Sequence, residues 1–223
     1  MIQQVKNIFI VGVQAALIAW MVILAGPANA GRPLTVDDAN SNEKSAGHLE
    51  TWWAREPGNA QTFNLAPAYA PFDGFEVAAA WTRERKSTLH ATAVQVKWVI
   101  ARPDENGCNV GIVGGSTNLS GGGGRTHYAN SLVTCNRKEM GSLHFNLGGK
   151  KPKDGRPVRT WGVAAERETG AVTPHLEYFG AHGEKPTVQA GMRGEIAKSL
   201  QLDGTVGRID KETLYSLGMK IQF

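Results

Sequence analysis

Residues 213–223 read Thr-Leu-Tyr-Ser-Leu-Gly-Met-Lys-Ile-Gln-Phe, and the large apolar side chains fall on every second position. Tyr215, Leu217, Met219, Ile221 and Phe223 share one face, while Leu214, Ser216, Gly218, Lys220 and Gln222 share the other. A period of two is the signature of a β-strand with one apolar side. With aromatic residues near both ends of that side, the stretch has the length and pattern of a tilted strand crossing a bilayer.

The other end of the chain reads as an export signal. Lys6 supplies a positive start, Ile8 to Ala25 is almost wholly apolar, and Gly26-Pro27 breaks the run before Ala28-Asn29-Ala30. This small-x-small ending predicts cleavage after Ala30, so residues 1–30 are assigned to a signal peptide. Residues 31–46 are polar and aperiodic, and are expected to form an extended periplasmic segment. Residues 47–223 are assigned to an outer-membrane barrel.

That assignment follows from the segments upstream of the last one. Phe75, Val77, Ala79 and Trp81 alternate with Glu76, Ala78, Ala80 and Thr82, and Val94, Val96, Trp98 and Ile100 alternate with Gln95 and Lys97. Leu176 and Tyr178 oppose His175 and Glu177, while Val188, Ala190 and Met192 oppose Gln189, Arg193 and Glu195. Turn-forming clusters such as Pro71-Phe72-Asp73-Gly74 separate these segments. The pattern predicts an all-β, antiparallel up-and-down transmembrane barrel of about twelve strands, with ten as the alternative. Closure is required because an open edge would leave unpaired backbone groups in hydrocarbon.

Parity places the Pro71–Gly74 and Arg102–Gly107 turns on the periplasmic side, with both chain ends. The Arg83–Ser87 loop, a long Gly121–Gly124 loop and the basic Lys150–Arg156 loop fall outside. Tyr69, Phe75, Trp98 and Phe223 then gather near periplasmic strand ends, as an aromatic girdle would. Cys108 and Cys135 bracket one hairpin, fit no metal-binding spacing, and are expected to form a disulfide in an oxidising compartment.

The final strand, with Phe223 at its end, resembles the C-terminal signal strand that the barrel-assembly machinery reads in bacterial outer-membrane barrels. Gly31 to Ala39, Pro67-Ala68-Tyr69, Phe72 to Val77 and Gln201 to Gly207 resemble a family of outer-membrane barrels linked to phenol meta-pathway degradation or transport. The resemblance implies twelve strands and passage of small, often hydrophobic compounds. It offers no catalytic motif to carry over, and known members tend to be longer.

The net charge of +4 comes without a dense basic stripe, so no nucleic-acid partner is expected. None of the Gly-x-Ser-x-Gly, His-Glu-x-x-His or phosphate-loop motifs occurs, and neither cofactor nor metal is expected. A hydrolytic pair of Ser120 or Ser131 with His127 lacks an identifiable acid, so the chain is not expected to be an enzyme. The informative residues are the charges on polar faces: Glu76, Lys97, Glu177, Arg193, Glu195, Asp203 and Lys220. Pointing into a narrow lumen, they would filter a small solute electrostatically, or pair and fill the interior. The sequence therefore predicts a lipid-embedded, narrow passive channel for small, hydrophobic or aromatic solutes. A structural or adhesive barrel is the alternative, and an outer-membrane lipid hydrolase a weaker one.

Overall fold

The computed structural model describes residues 34–101, 106–122 and 124–223. The signal peptide assigned to residues 1–30 lies outside these. Twelve strands follow one another: β1 Gly47–Arg55, β2 Gln61–Phe72, β3 Phe75–Glu84, β4 His90–Ala101, β5 Gly107–Leu119, β6 Gly124–Arg137, β7 Gly141–Pro152, β8 Val158–Glu166, β9 Val172–Ala181, β10 Thr187–Ala197, β11 Leu200–Ile209 and β12 Glu212–Gln222. Each pairs antiparallel with its sequence neighbour, and β12 returns to β1, so the sheet is a closed barrel. The ten-strand alternative is thereby set aside.

The seam is latched at both backbone groups of the last residue. Gly47 N–H donates to the Phe223 carbonyl at 2.7 Å, and Phe223 N–H donates to the Gly47 carbonyl at 2.9 Å. Along the seam, His48 faces Gln222 and Glu50 faces Lys220, while Leu49 faces Ile221 on the opposite side of the sheet. The alternation of the last strand thus fixes the register that closes the cylinder.

Burial follows the pleat. Outward residues such as Val94, Trp98, Leu147 and Leu217 are exposed, whereas inward Glu76, Lys97, Glu177 and Lys220 are buried. This inverts the soluble pattern and suits lipid outside and a polar interior. Tight turns carry the required backbone: Asp73-Gly74 joins β2 to β3 with Gly74 at φ 79°, and Asp210-Lys211 joins β11 to β12 with Asp210 at φ 51°. Pro67 stays in register with Leu49 of β1, and Pro174 sits one residue beyond the last β8 partner of β9, His175. A missing N–H is tolerated at such places.

Two loop expectations change. β5 and β6 pair up to Leu119 and Gly124, so the glycine run caps the hairpin as a short turn rather than a long loop. Lys150 and Lys151 belong to β7, and the turn that follows begins only after Pro152. Both runs lie in register with their neighbours, and paired backbone outweighs the weak strand propensity of Gly and Lys. Cys108 and Cys135 are directly opposed across β5 and β6 and form the disulfide, near the barrel end where β1 begins and β12 finishes.

Candidate functional site

Residues 34–46 do not trail away from the barrel; they run inside it. A turn at Glu43–Ala46, with Ser45 at φ 64°, reverses the chain ahead of β1 and feeds it back into the lumen. Ser45 N–H donates to the Ala70 carbonyl at 2.7 Å and roots the strap on β2. Lacking periodicity, the segment has no sheet of its own, so its backbone donors must find side-chain acceptors.

They find them on strand after strand of the wall. Asn42 donates to Glu76 Oε2 from its backbone N–H at 3.1 Å and from its side-chain amide at 2.9 Å. Asn109 reaches Asn40 at 2.8 Å, and Ala39 N–H donates to Thr134 Oγ1 at 2.8 Å. Asp37 and Asn146 exchange bonds, backbone N–H to Oδ1 at 2.8 Å and Nδ2 to carbonyl at 2.7 Å. At the tip, Thr35 and Val36 N–H both donate to Glu177 Oε2, at 2.6 and 2.8 Å. Hydrogen bonds to charged acceptors contribute roughly 1.5–3 kcal/mol each, which is what lets an aperiodic strap hold one position. Ala39 packs against Val113 and Leu132, a small apolar cluster inside an otherwise polar lumen.

Ion pairs complete the dock. Lys97 Nζ lies 3.1 Å from Asp37 Oδ1 and 3.5 Å from Asp38 Oδ1. Burial is the largest single influence and works to raise the Asp38 carboxyl, but Lys97, His144, the Asn40 backbone N–H and Lys220 together hold it below the ordinary carboxylate range. Elsewhere Lys220 meets Glu50 at 3.3 Å, and Arg193 grips Glu166 with both guanidinium nitrogens. Glu166 in turn lies 3.5 Å from His144, whose Nδ1 is 2.9 Å from Thr134 Oγ1. A polar chain therefore links strap residue Ala39 to Arg193 near the barrel mouth.

Six of the charges picked from the sequence, Glu76, Lys97, Glu177, Arg193, Asp203 and Lys220, point inward, and Glu195 stands exposed at the rim. Glu76 and Glu177, expected either to filter a solute or to pair across strands, receive the strap. His48 and Glu50 on β1 were legible by the same alternation but overlooked. Asp37 and Asp38 carried no periodic signal at all.

The strap partitions the interior. A chamber of about 260 Å³ lies among β1–β4, walled by Ala66, Ala68, Ala78, Ala80 and Ala93 with Trp52 beside them. A wider space of about 840 Å³ opens at the end where β1 begins and β12 finishes, edged by Arg137, Glu166, Arg193 and Glu195. Asp38 and Asn40 border both. Of the two serines considered for a hydrolytic pair, Ser131 faces outward with His127 on β6, about 13 Å away along the strand, too far for a direct hydrogen bond.

The chain is thus a closed, twelve-stranded antiparallel barrel with a polar interior, a fold shared with solved outer-membrane barrels. The chain is similar to the KdgM porin, with a TM-score of 0.67 at 14% identity over 79% of this chain and 99% of that one. It is also similar to the Acinetobacter baumannii outer membrane protein Omp33, with a TM-score of 0.59 at 10% identity over 81% and 99% of the two chains. The profile of the family described as "Uncharacterised conserved protein UCP029691" matches residues 18–223, and the chain belongs to that family. No curated protein matches the sequence.

Proposed function

We propose that the protein is a narrow passive channel of the outer membrane, with residues 34–46 as its constriction. The observation that carries this reading is that Asp38 and Asn40 border both interior spaces, so a solute crossing the barrel must pass the strap. Carboxylates outnumber the fixed cations Lys97, Lys150, Arg193 and Lys220 along the interior, which favours cationic or neutral solutes over anions. The oligogalacturonate held by the KdgM porin is an acidic sugar chain, and this lumen is poorly suited to such a ligand. The alanine wall beside Trp52 would instead receive a small apolar or aromatic group. That agrees with the solutes implied by the resemblance to phenol meta-pathway barrels.

Lipid, and the barrel-assembly machinery reading Tyr215, Leu217, Met219, Ile221 and Phe223, are the partners this reading requires. Planar-bilayer recording of the refolded protein tests it. Discrete small conductance steps are expected, and deleting residues 34–42 should enlarge them. Absence of steps in both forms would leave the second reading, a sealed structural barrel, which the dense internal pairing of Lys97, Lys220 and Arg193 favours.

A further inference from the structure

Outward-facing strand positions carry Arg55, Arg83, Arg125, Arg137, Lys151, Arg159 and Arg208, and among the described residues no Asp or Glu. All but Arg137 lie toward the end opposite the start of β1 and the finish of β12. The densest group is on β6–β8. His127 is directly opposite Lys151, Arg159 is opposite Gly149 one step away, and Lys153 N–H donates to the Arg125 carbonyl at 2.7 Å. Arg125, His127, Lys151 and Lys153 edge a recess of about 510 Å³ whose remaining lining is Asn118, Gly124 and Pro152. No acid shares it. Lys150, the neighbouring cation, points inward and is engaged by Glu184 at 3.0 Å.

Immediately below this recess the same outer face turns apolar, through Ala129, Leu147, Trp161 and Val163. A concave cationic patch directly above a greasy wall matches an amphiphile with an anionic head, rather than a free anion in solution. Phosphate esters suit it, because arginine and lysine donors make charge-assisted bonds to phosphate oxygens. We propose that this recess binds the phosphate of a phosphorylated glycolipid in the outer leaflet, with its acyl chains lying along Leu147 and Trp161. The inference rests on the outer-membrane reading above, with the start of β1 and the end of β12 on the inner side.

Native mass spectrometry of the detergent-solubilised full chain tests it, with bisphosphorylated lipid A as the probe. Retention of that probe is expected, with about tenfold weaker retention by the Arg125→Gln/Lys151→Gln variant. Arg83→Gln, elsewhere on the rim, should bind as the parent does. Dephosphorylated lipid A should be retained no better than by the variant. Equal retention of both lipids, an unaffected double variant, or complete displacement by inorganic phosphate would overturn the proposal. Channel conductance should be unchanged in the double variant, so this site can fail while the channel reading stands. Solubility of the parent without detergent would remove the membrane reading itself.

Discussion

Val36 lies directly over Gly162. A Cβ placed on Gly162 would come within 2.8 Å of Val36 Cγ2 and 3.2 Å of Phe179 Cβ. The absent side chain on β8 is thus the space into which the tip of the strap fits, next to the Glu177 carboxylate that holds it.

Gly162→Leu should therefore expel the tip while leaving the strand paired. Amide exchange at Thr35 and Val36 is expected to quicken about tenfold or more, the loss of one charge-assisted hydrogen bond. Single-channel conductance should rise with it. In a Gly162→Ala background, trimming Val36 to Ala should restore protection, since the two residues compete for one volume. Unchanged exchange in Gly162→Leu would show that the tip is held by something other than this fit.

Acid should loosen the strap through Asp38. Lys97 on β4, Lys220 on β12 and His144 on β7 face this carboxyl and lower its pKa against the effect of burial. A depressed docked value adds stability above the undocked pKa of about 3.9, and that stability is lost as pH falls through the docked value. Conductance should therefore be level from neutral pH to about 5 and climb only below about 4. Asp38→Asn should remove this acid step. A step centred well above pH 5, or one that survives Asp38→Asn, would contradict this assignment.

Selectivity should follow the interior acid excess. Reversal potentials in a potassium chloride gradient are expected to show cation preference. Arg193→Gln, which removes a positive charge beside Glu166 near the wide mouth, should raise the permeability ratio about twofold. An anion-preferring parent would contradict the assignment of the lumen charges.

The Cys108–Cys135 bridge, with a sequence separation of 27, should stabilise the β5–β6 hairpin by about 3.5 kcal/mol in the loop-entropy model. The Cys108→Ser/Cys135→Ser double variant should still fold in detergent, with a lower urea midpoint by tryptophan fluorescence. Its conductance should match the parent, because Cys108 lies on the outward face and lines neither interior space.

The barrel was legible in the sequence because alternation is a local property. Phe75–Trp81 and Tyr215–Phe223 each declare which side meets lipid without reference to any other segment. The inward direction of Lys97 and Lys220 came from the same reading. The strap was not legible, since Asp37, Asp38 and Asn42 gain their meaning only from Lys97, Glu76 and Glu177, which are distant in sequence. A polar, aperiodic stretch looks the same whether water or a barrel wall satisfies its backbone. Gly162 carried the one trace of it, a missing side chain in the middle of a strand.

The acceptors beneath the strap sit on β3, β6, β7 and β9, which no single hairpin can bring together. They converge only when the sheet has curled to this circumference. A cylinder with a strand too few, or one slipped in register, would strand Glu76 or Glu177 without donors. The segment ahead of β1 thereby acts as a gauge of correct assembly, rewarding one diameter and penalising its neighbours.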